Sequence, residues 1–300
     1  MTIIQSNLLL LFTAALWGGS FVIQKNAMDT MDPFIFNAIR FFIAAVCLLP
    51  IRYFRRGNIA IIDSADKRHM LMGTAIAGSI MFCAVAFQQI GIKHTTVSNT
   101  GFITGLYIVF VPMIGIFVGH KYNNKIWLAI MVAVIGLYML SGMDGLYMQQ
   151  GDFFILISAF FWGAHLIVID QISHRHNPIA FAIRQFFVCG LLSVIAAIIT
   201  EEQIRVMTET EWFYIIFSGA IAIAVGYTIQ IYGQKVTPPS QTALIFSTEA
   251  VFAAGAGFLF LNETLGSQAF IGCILMMGGS LMAQFYPPLN HRSTEPKSLP

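Results

Sequence analysis

The sequence predicts an all-α polytopic membrane protein, with ten transmembrane helices arranged as two inverted five-helix repeats (5+5). Three observations lead there: composition, a series of apolar stretches of spanning length, and an internal repeat. Of 300 residues, 57% are hydrophobic and 10% charged, with a mean hydropathy of +0.75. A soluble domain carries about 25% charged residues. So few charges cannot cover a water-exposed globule of this length, and the expected solvent is the lipid bilayer. The net charge of +2, with no long basic run, argues against a nucleic-acid partner.

A helix needs about 20 apolar residues to cross the hydrocarbon core. Cutting at charged and turn-rich punctuation places spans at 7–28, 33–54, 68–91, 95–118, 124–142, 151–172, 178–200, 211–233, 239–261 and 266–286. The first span has no basic n-region and no clear small-residue cleavage site, so it reads as a retained helix and not a signal peptide. The second and seventh open on Pro33 and Pro178. The longest connections follow the second span (52–67, with Arg52, Arg55 and Arg56) and the seventh (201–210, with Glu201, Glu202 and Glu209). Residues 287–300 are polar and Pro-rich and read as a disordered cytoplasmic tail.

Positive charge in short loops orients such a chain. With the N-terminus inside, eleven basic residues fall on inner connections and span ends: Arg52, Arg55, Arg56, Lys67, Arg68, Lys121, Lys125, Arg175, Lys235, Arg292 and Lys297. Three fall outside, Lys25, Lys93 and Arg205. Both termini are therefore expected in the cytoplasm.

The halves, 1–144 and 145–286, align at an offset of 145 and later of 142. At the first offset Trp17-Gly18 falls on Trp162-Gly163, Pro33 on Pro178, Phe36 on Phe181, and Phe41-Phe42 on Phe186-Phe187; Arg40 misses Arg184 by one position. At the second, Gly91, Lys93, Thr95, Ser98, Thr100, Val109 and Phe110 meet Gly233, Lys235, Thr237, Ser240, Thr242, Val251 and Phe252. Five spans is an odd number, so the second half enters the membrane from the opposite side. Secondary transporters use this arrangement, with a solute site near the midplane between the repeats.

Polar groups inside spans normally face the bundle interior or water. Glu249, in the middle of span nine, is a candidate for a solute amine or a coupling proton, against a packing role; its repeat counterpart is Tyr107. Trp17, Ser20 and Gln24 share a face of span one, and Trp162 and His165 share the equivalent face of span six. Tyr227, Gln230 and Gln234 form a stripe in span eight, Gln88 matches Gln230, Asn99 matches Gln241, and Thr104 extends the polar face of span four. Such neutral groups suit the orientation of a small solute in an apolar pocket. Any single one also has an interhelical hydrogen bond as its alternative, worth about 0.6 kcal/mol in membranes. Arg40 and Arg184 are expected to snorkel to the interface or to pair structurally, with gating or anion capture as the alternative. His174 and His176 read as solvated loop residues. Gly101 with Gly105, Gly115 with Gly119, and Ala253 with Gly257 offer small faces for close helix packing. Cys47, Cys83, Cys189 and Cys273 lie in apolar runs and read as buried small hydrophobes, with no metal spacing.

The phrases "LWGGSFVIQK", "PFIFNAIRFF", "TGFITGLYIVFVP", "FWGAHLIVID", "STEAVFAAGAGFLFLNETL" and "GCILMMGGSLMA" resemble the EamA-type family of the drug/metabolite transporter superfamily, from Leu16 to about Met282. The resemblance implies a ten-helix inner-membrane carrier of small metabolites, often an exporter, and not an enzyme. It also singles out Glu263, in the turn between spans nine and ten, as a gating or structural charge. The corresponding turn of the first half departs, with Lys121 where the paired acid would fall. The expected function is secondary transport of small organic metabolites such as amino acids by alternating access, without a cofactor. No Walker-type GxxxxGK[ST] stretch is present to take ATP. Proton coupling and facilitated diffusion both stay open, as do monomer and homodimer. The alternative is an intramembrane enzyme acting on lipid-linked substrates, for which Glu249 and His165 are the deep candidates.

Overall fold

The computed structural model describes residues 1–54, 64–140, 149–173, 177–200, 202, 205–263 and 266–285. Arg55, Arg56, His174, Arg175, His176, Glu201, Arg292, Lys297, the junction of the halves and the 287–300 tail lie outside the described residues. So does the side chain of Lys67.

Every regular element among the described residues is helical. They are α1 (Ile3–Met28), α2 (Pro33–Phe54), α3 (Ser64–Lys93), α4 (Val97–Gly105), α5 (Tyr107–Phe117), α6 (Asn124–Leu140), α7 (Gln150–Ser173), α8 (Pro178–Ile199), α9 (Glu209–Ile216), a π-helical stretch Phe217–Val225, α10 (Gly226–Gly233), α11 (Pro239–Phe246), α12 (Glu249–Leu261) and α13 (Ser267–Gln284). Taking α4–α5, α9–α10 and α11–α12 as continuous runs, eight helices are long and apolar enough to cross a membrane. The segments Asn124–Met139 and Ser267–Met282 are apolar but shorter.

Helix ends follow local chemistry. Thr2 with Gln5, and Thr208 with Glu211, form capping boxes at the starts of α1 and α9. Asn177 caps α8 ahead of Pro178. Gly119, read from sequence as half of a packing pair, instead has φ +89° just past the end of α5, a left-handed position that suits glycine.

Ends are also tied across the chain. The Glu202 carboxylate accepts the amides of Phe34 (3.1 Å) and Ile35 (2.9 Å) at the start of α2. Glu263 accepts the amides of Val97 (2.9 Å) and Ser98 (3.1 Å) and the Ser98 hydroxyl at the start of α4. Lys25 donates to the carbonyls of Ile92 (3.0 Å) and Lys93 (3.1 Å) at the end of α3. Each charge sits on the helix end that its sign favours.

Repeat mates pack on each other. Phe41 lies 6.0 Å from Phe186 and Phe42 5.7 Å from Phe187, ring centre to ring centre, where α2 crosses α8. Gly18 brings α1 onto α12: a Cβ built there would lie 2.7 Å from Phe252 Cβ and 2.9 Å from Ala253 N. Large apolar side chains such as Phe12, Phe117, Ile199, Leu259 and Ile274 point outward, as lipid-facing positions do. Of the four cysteines only Cys189 is buried, and Cys47 is exposed.

Candidate functional site

Two of the long runs are broken, and at equivalent places. α4 stops at Gly105 and α5 resumes at Tyr107; α11 stops at Phe246 and α12 resumes at Glu249. Leu106 and Thr248, in the two breaks, are mates at the offset of 142. Hydrogen bonds tighten to a three-residue spacing there, from Val109 N to Leu106 O (2.9 Å) and from Val251 N to Thr248 O (3.0 Å). In the second break the hydroxyls of Ser247 and Thr248 bond back to Leu244 O (2.9 Å) and Ile245 O (2.6 Å), competing with the helical ladder. The first residues after the breaks meet: Tyr107 Oη donates to Glu249 Oε1 at 2.9 Å.

Around this pair lies a cavity with about 610 Å³ of unoccupied space, counting its open mouth. Fourteen of its 19 lining residues are seven repeat-related pairs. They are Trp17/Trp162, Ser20/His165 and Phe21/Leu166 at one offset, and Val85/Tyr227, Gln88/Gln230, Thr104/Phe246 and Tyr107/Glu249 at the other. The walls are aromatic. Trp17 lies 4.6 Å from Tyr227 and 4.8 Å from Phe246, and Trp162 lies 5.8 Å from Tyr227. Trp17 Nε1 also donates to Ala222 O at 2.8 Å, inside the π-helical stretch. Such stretches recur at functional sites.

Polar chains run along both ends of the cavity. Arg40 Nη1 donates to Gln24 Oε1 (2.9 Å), which also accepts from Gln89 Nε2; Gln24 Nε2 donates to Ser20 Oγ (3.0 Å), and Ser20 to Trp17 O (2.7 Å). In the other half His165 Nε2 faces Gln185 Oε1 at 3.2 Å, Gln230 donates to Gln234 (2.9 Å), and Gln234 to Leu166 O (2.9 Å). Between them Gln88 donates to Thr104 (3.2 Å). Arg40 Nε, His165 Nδ1, Gln185 Nε2 and Gln230 Oε1 are buried with no hydrogen-bond partner among the described residues.

The structure brings together Trp17, Ser20, Gln24, Gln88, Thr104, Tyr107, Trp162, His165, Tyr227, Gln230 and Glu249. It leaves Asn99 out. That residue sits in the first turn of α4, where its amide bonds to the Thr96 cap. Arg40, expected at an interface, is 3% exposed and lines the cavity, its guanidinium 4.6 Å from the Phe36 ring. Its true mate at the offset of 145 is Gln185, not Arg184. One residue turns a helix by about 100°, so Arg184 points elsewhere and meets the Met70 sulfur. Glu263 caps a helix away from the cavity. Sequence reasoning missed Phe21, Phe41, Val85, Leu166, Ala222, Ile223 and Phe246. For Val85 and Phe246 the signal existed, as they are the mates of Tyr227 and Thr104. No group of three or more His, Cys, Asp or Glu side chains suited to a metal is assembled among the described residues.

A multi-pass helical membrane protein with a polar and aromatic cavity at paired helix breaks has the architecture of a membrane carrier. The comparisons with known proteins agree. Residues 5–142 and 149–284 each match the EamA-like transporter family, and the chain belongs to that family. It is 32% identical over 275 residues to an uncharacterized transporter of Archaeoglobus fulgidus, covering 91% of this chain and 84% of that one. It is 23% identical over 303 residues to a protein of Escherichia coli described as a "probable amino-acid metabolite efflux pump", covering 92% and 93%. A crystal structure 16% identical in sequence superposes with a TM-score of 0.75 over 94% of this chain and 97% of that one, and shows the fold alone. The chain is thus a transporter and not an enzyme, which sets aside the lipid-linked catalytic reading.

Proposed function

We propose that the protein is a secondary transporter that exports small organic metabolites such as amino acids across a bacterial inner membrane by alternating access. In this reading ten helices span the bilayer, the five-helix halves 1–144 and 145–286 are inverted, and both termini are cytoplasmic. The observation that carries it is the cavity wall. Fourteen of its 19 residues are repeat-related pairs, so in this reading each half supplies equivalent wall positions from the opposite direction. Two such halves can exchange conformations and present the site to either side. The breaks at Leu106 and Thr248 are tolerated at membrane depth because the residues flanking them, Thr104, Tyr107, Phe246 and Glu249, line that cavity. Export, and amino acids as cargo, are supported by the name of the Escherichia coli relative.

The test is counterflow. Purified protein is reconstituted in liposomes preloaded with a mixed metabolite pool, and uptake of labelled amino acids, sugars and nucleosides is followed with and without a pH gradient. Saturable exchange of a particular solute, lost in a Trp17→Ala/Trp162→Ala variant that still purifies as a folded protein, is the expected result. Equal leakage in protein-free liposomes, with no solute exchanged, refutes transport.

A further inference from the structure

The cavity holds one permanent cation and one carboxyl group, and they are not partnered with each other. Arg40 and Glu249 are each 3% exposed. The guanidinium rests over Phe36 and Phe41, at 4.6 and 5.6 Å, and bonds through Nη1 to the neutral Gln24, while Nε has no partner. The Glu249 carboxyl is held by the Tyr107 hydroxyl through Oε1. Neither forms an ion pair among the described residues.

A buried guanidinium without a counter-charge is costly, and a carboxyl group buried with only a hydroxyl partner has no cation to ionise against, so the two in one site demand a reason. Both sit where the repeats differ: Glu249 stands opposite Tyr107, and Arg40 opposite Gln185. The positions that line the cavity are duplicated while its charge is polarised.

We infer that the solute is a zwitterion, its carboxylate on Arg40 and its ammonium on Glu249, with the rest of the molecule against the Trp17, Trp162 and Tyr227 rings. This rests on the transport reading and specifies its cargo. An anion would satisfy Arg40 and leave Glu249 without a counter-charge; a cation would do the reverse. A zwitterion satisfies both and leaves the loaded site with no net charge. The loaded site then changes sides without carrying a net charge through the low-dielectric midplane. Aromatic faces beside Glu249 add attraction for the cationic end.

The experiment uses matched triplets in the counterflow assay: glycine, leucine and phenylalanine, each beside its N-acetyl form (an anion) and its amide (a cation). At least one parent amino acid is expected to compete about 10- to 100-fold better than either derivative, the range of one lost charge-assisted contact. Arg40→Gln removes the preference for parent over amide, Glu249→Gln removes the preference for parent over N-acetyl form, and Arg40→Lys keeps the former preference. These selectivity changes are ratios within one preparation, which misfolding does not mimic. A derivative that competes as well as its parent overturns the inference, as does failure of all three amino acids. If the metabolite pool meanwhile yields exchange of an uncharged or singly charged solute, transport stands and the zwitterion assignment falls.

Discussion

Gly18 and Gly19 are neighbours on α1, and the structure predicts opposite outcomes when each becomes alanine. At Gly18 a methyl group would lie 2.7 Å from Phe252 Cβ and 2.9 Å from Ala253 N, and closer still to the Glu249 carbonyl oxygen. At Gly19 nothing lies within 4 Å. Carbon atoms sit comfortably at about 3.5–4.0 Å, so α1 and α12 must part by about 1 Å to admit the first methyl. Two of the three obstructing atoms are backbone and cannot swing aside. Forced overpacking of this kind costs about 1–3 kcal/mol. Both substitutions gain the same helix propensity, about 0.8–1 kcal/mol, so the difference between them isolates the clash. The assay is thermal unfolding of both purified variants in the same detergent. Gly18→Ala is expected to melt lower than Gly19→Ala, by roughly 2–4 °C per kcal/mol. Because the obstructing carbonyl belongs to Glu249, Gly18→Ala is also expected to slow counterflow while Gly19→Ala does not. Equal melting temperatures, with both variants at or above wild type, would refute the close α1–α12 contact.

The Tyr107–Glu249 pair can be inverted: Tyr107→Glu and Glu249→Tyr are each expected to lower the melting temperature, and the double variant to recover part of it through a coupling of about 0.5–3 kcal/mol. A double variant no more stable than the worse single one would show that the two sites are not interchangeable. Glu263→Ala is expected to cost about 1 kcal/mol by removing the cap of α4. Hydrogen exchange checks this locally: the Val97 and Ser98 amides speed up, and unchanged protection at both refutes the cap.

Much of this was legible in the sequence because two periodicities carry it. Apolar length locates the helices, and α2, α8 and α11 start at the prolines that punctuate the chain. The repeat locates the cavity, since Trp17/Trp162, Gln88/Gln230 and Tyr107/Glu249 were paired by offset before any geometry. What stayed hidden depends on angles and on neighbours distant in the chain. Arg40 and Arg184 look equivalent in an alignment that slides by one, yet one faces the cavity and the other the Met70 sulfur. Asn99 shares a polar label with its neighbours on span four, but its place in the first turn of α4 commits it to the helix end. The π-helical stretch Phe217–Val225 contains no proline to announce it. Its carbonyl at Ala222 is taken up by Trp17, a residue about 200 positions away.

The arrangement explains why duplication and divergence coexist in one site. In the alternating-access reading proposed above, the two halves need equivalent packed forms, one for each access state. The matched pairs are mainly those that fill space or offer neutral amides: the tryptophans, Phe21 with Leu166, Gln88 with Gln230. Recognition has no such need, because a solute has two different ends. The differing pairs include those that carry charge or can carry it, Tyr107 with Glu249, Ser20 with His165, and Arg40 with Gln185, alongside Val85 with Tyr227 and Thr104 with Phe246. Placing Tyr107 and Glu249 directly after the two helix breaks joins these demands. The same hydrogen bond that ties the halves together at 2.9 Å holds the carboxyl that distinguishes them. A ligand that engages Glu249 therefore acts on a contact between the halves, which is how the alternating-access reading proposed above couples binding to a change of access.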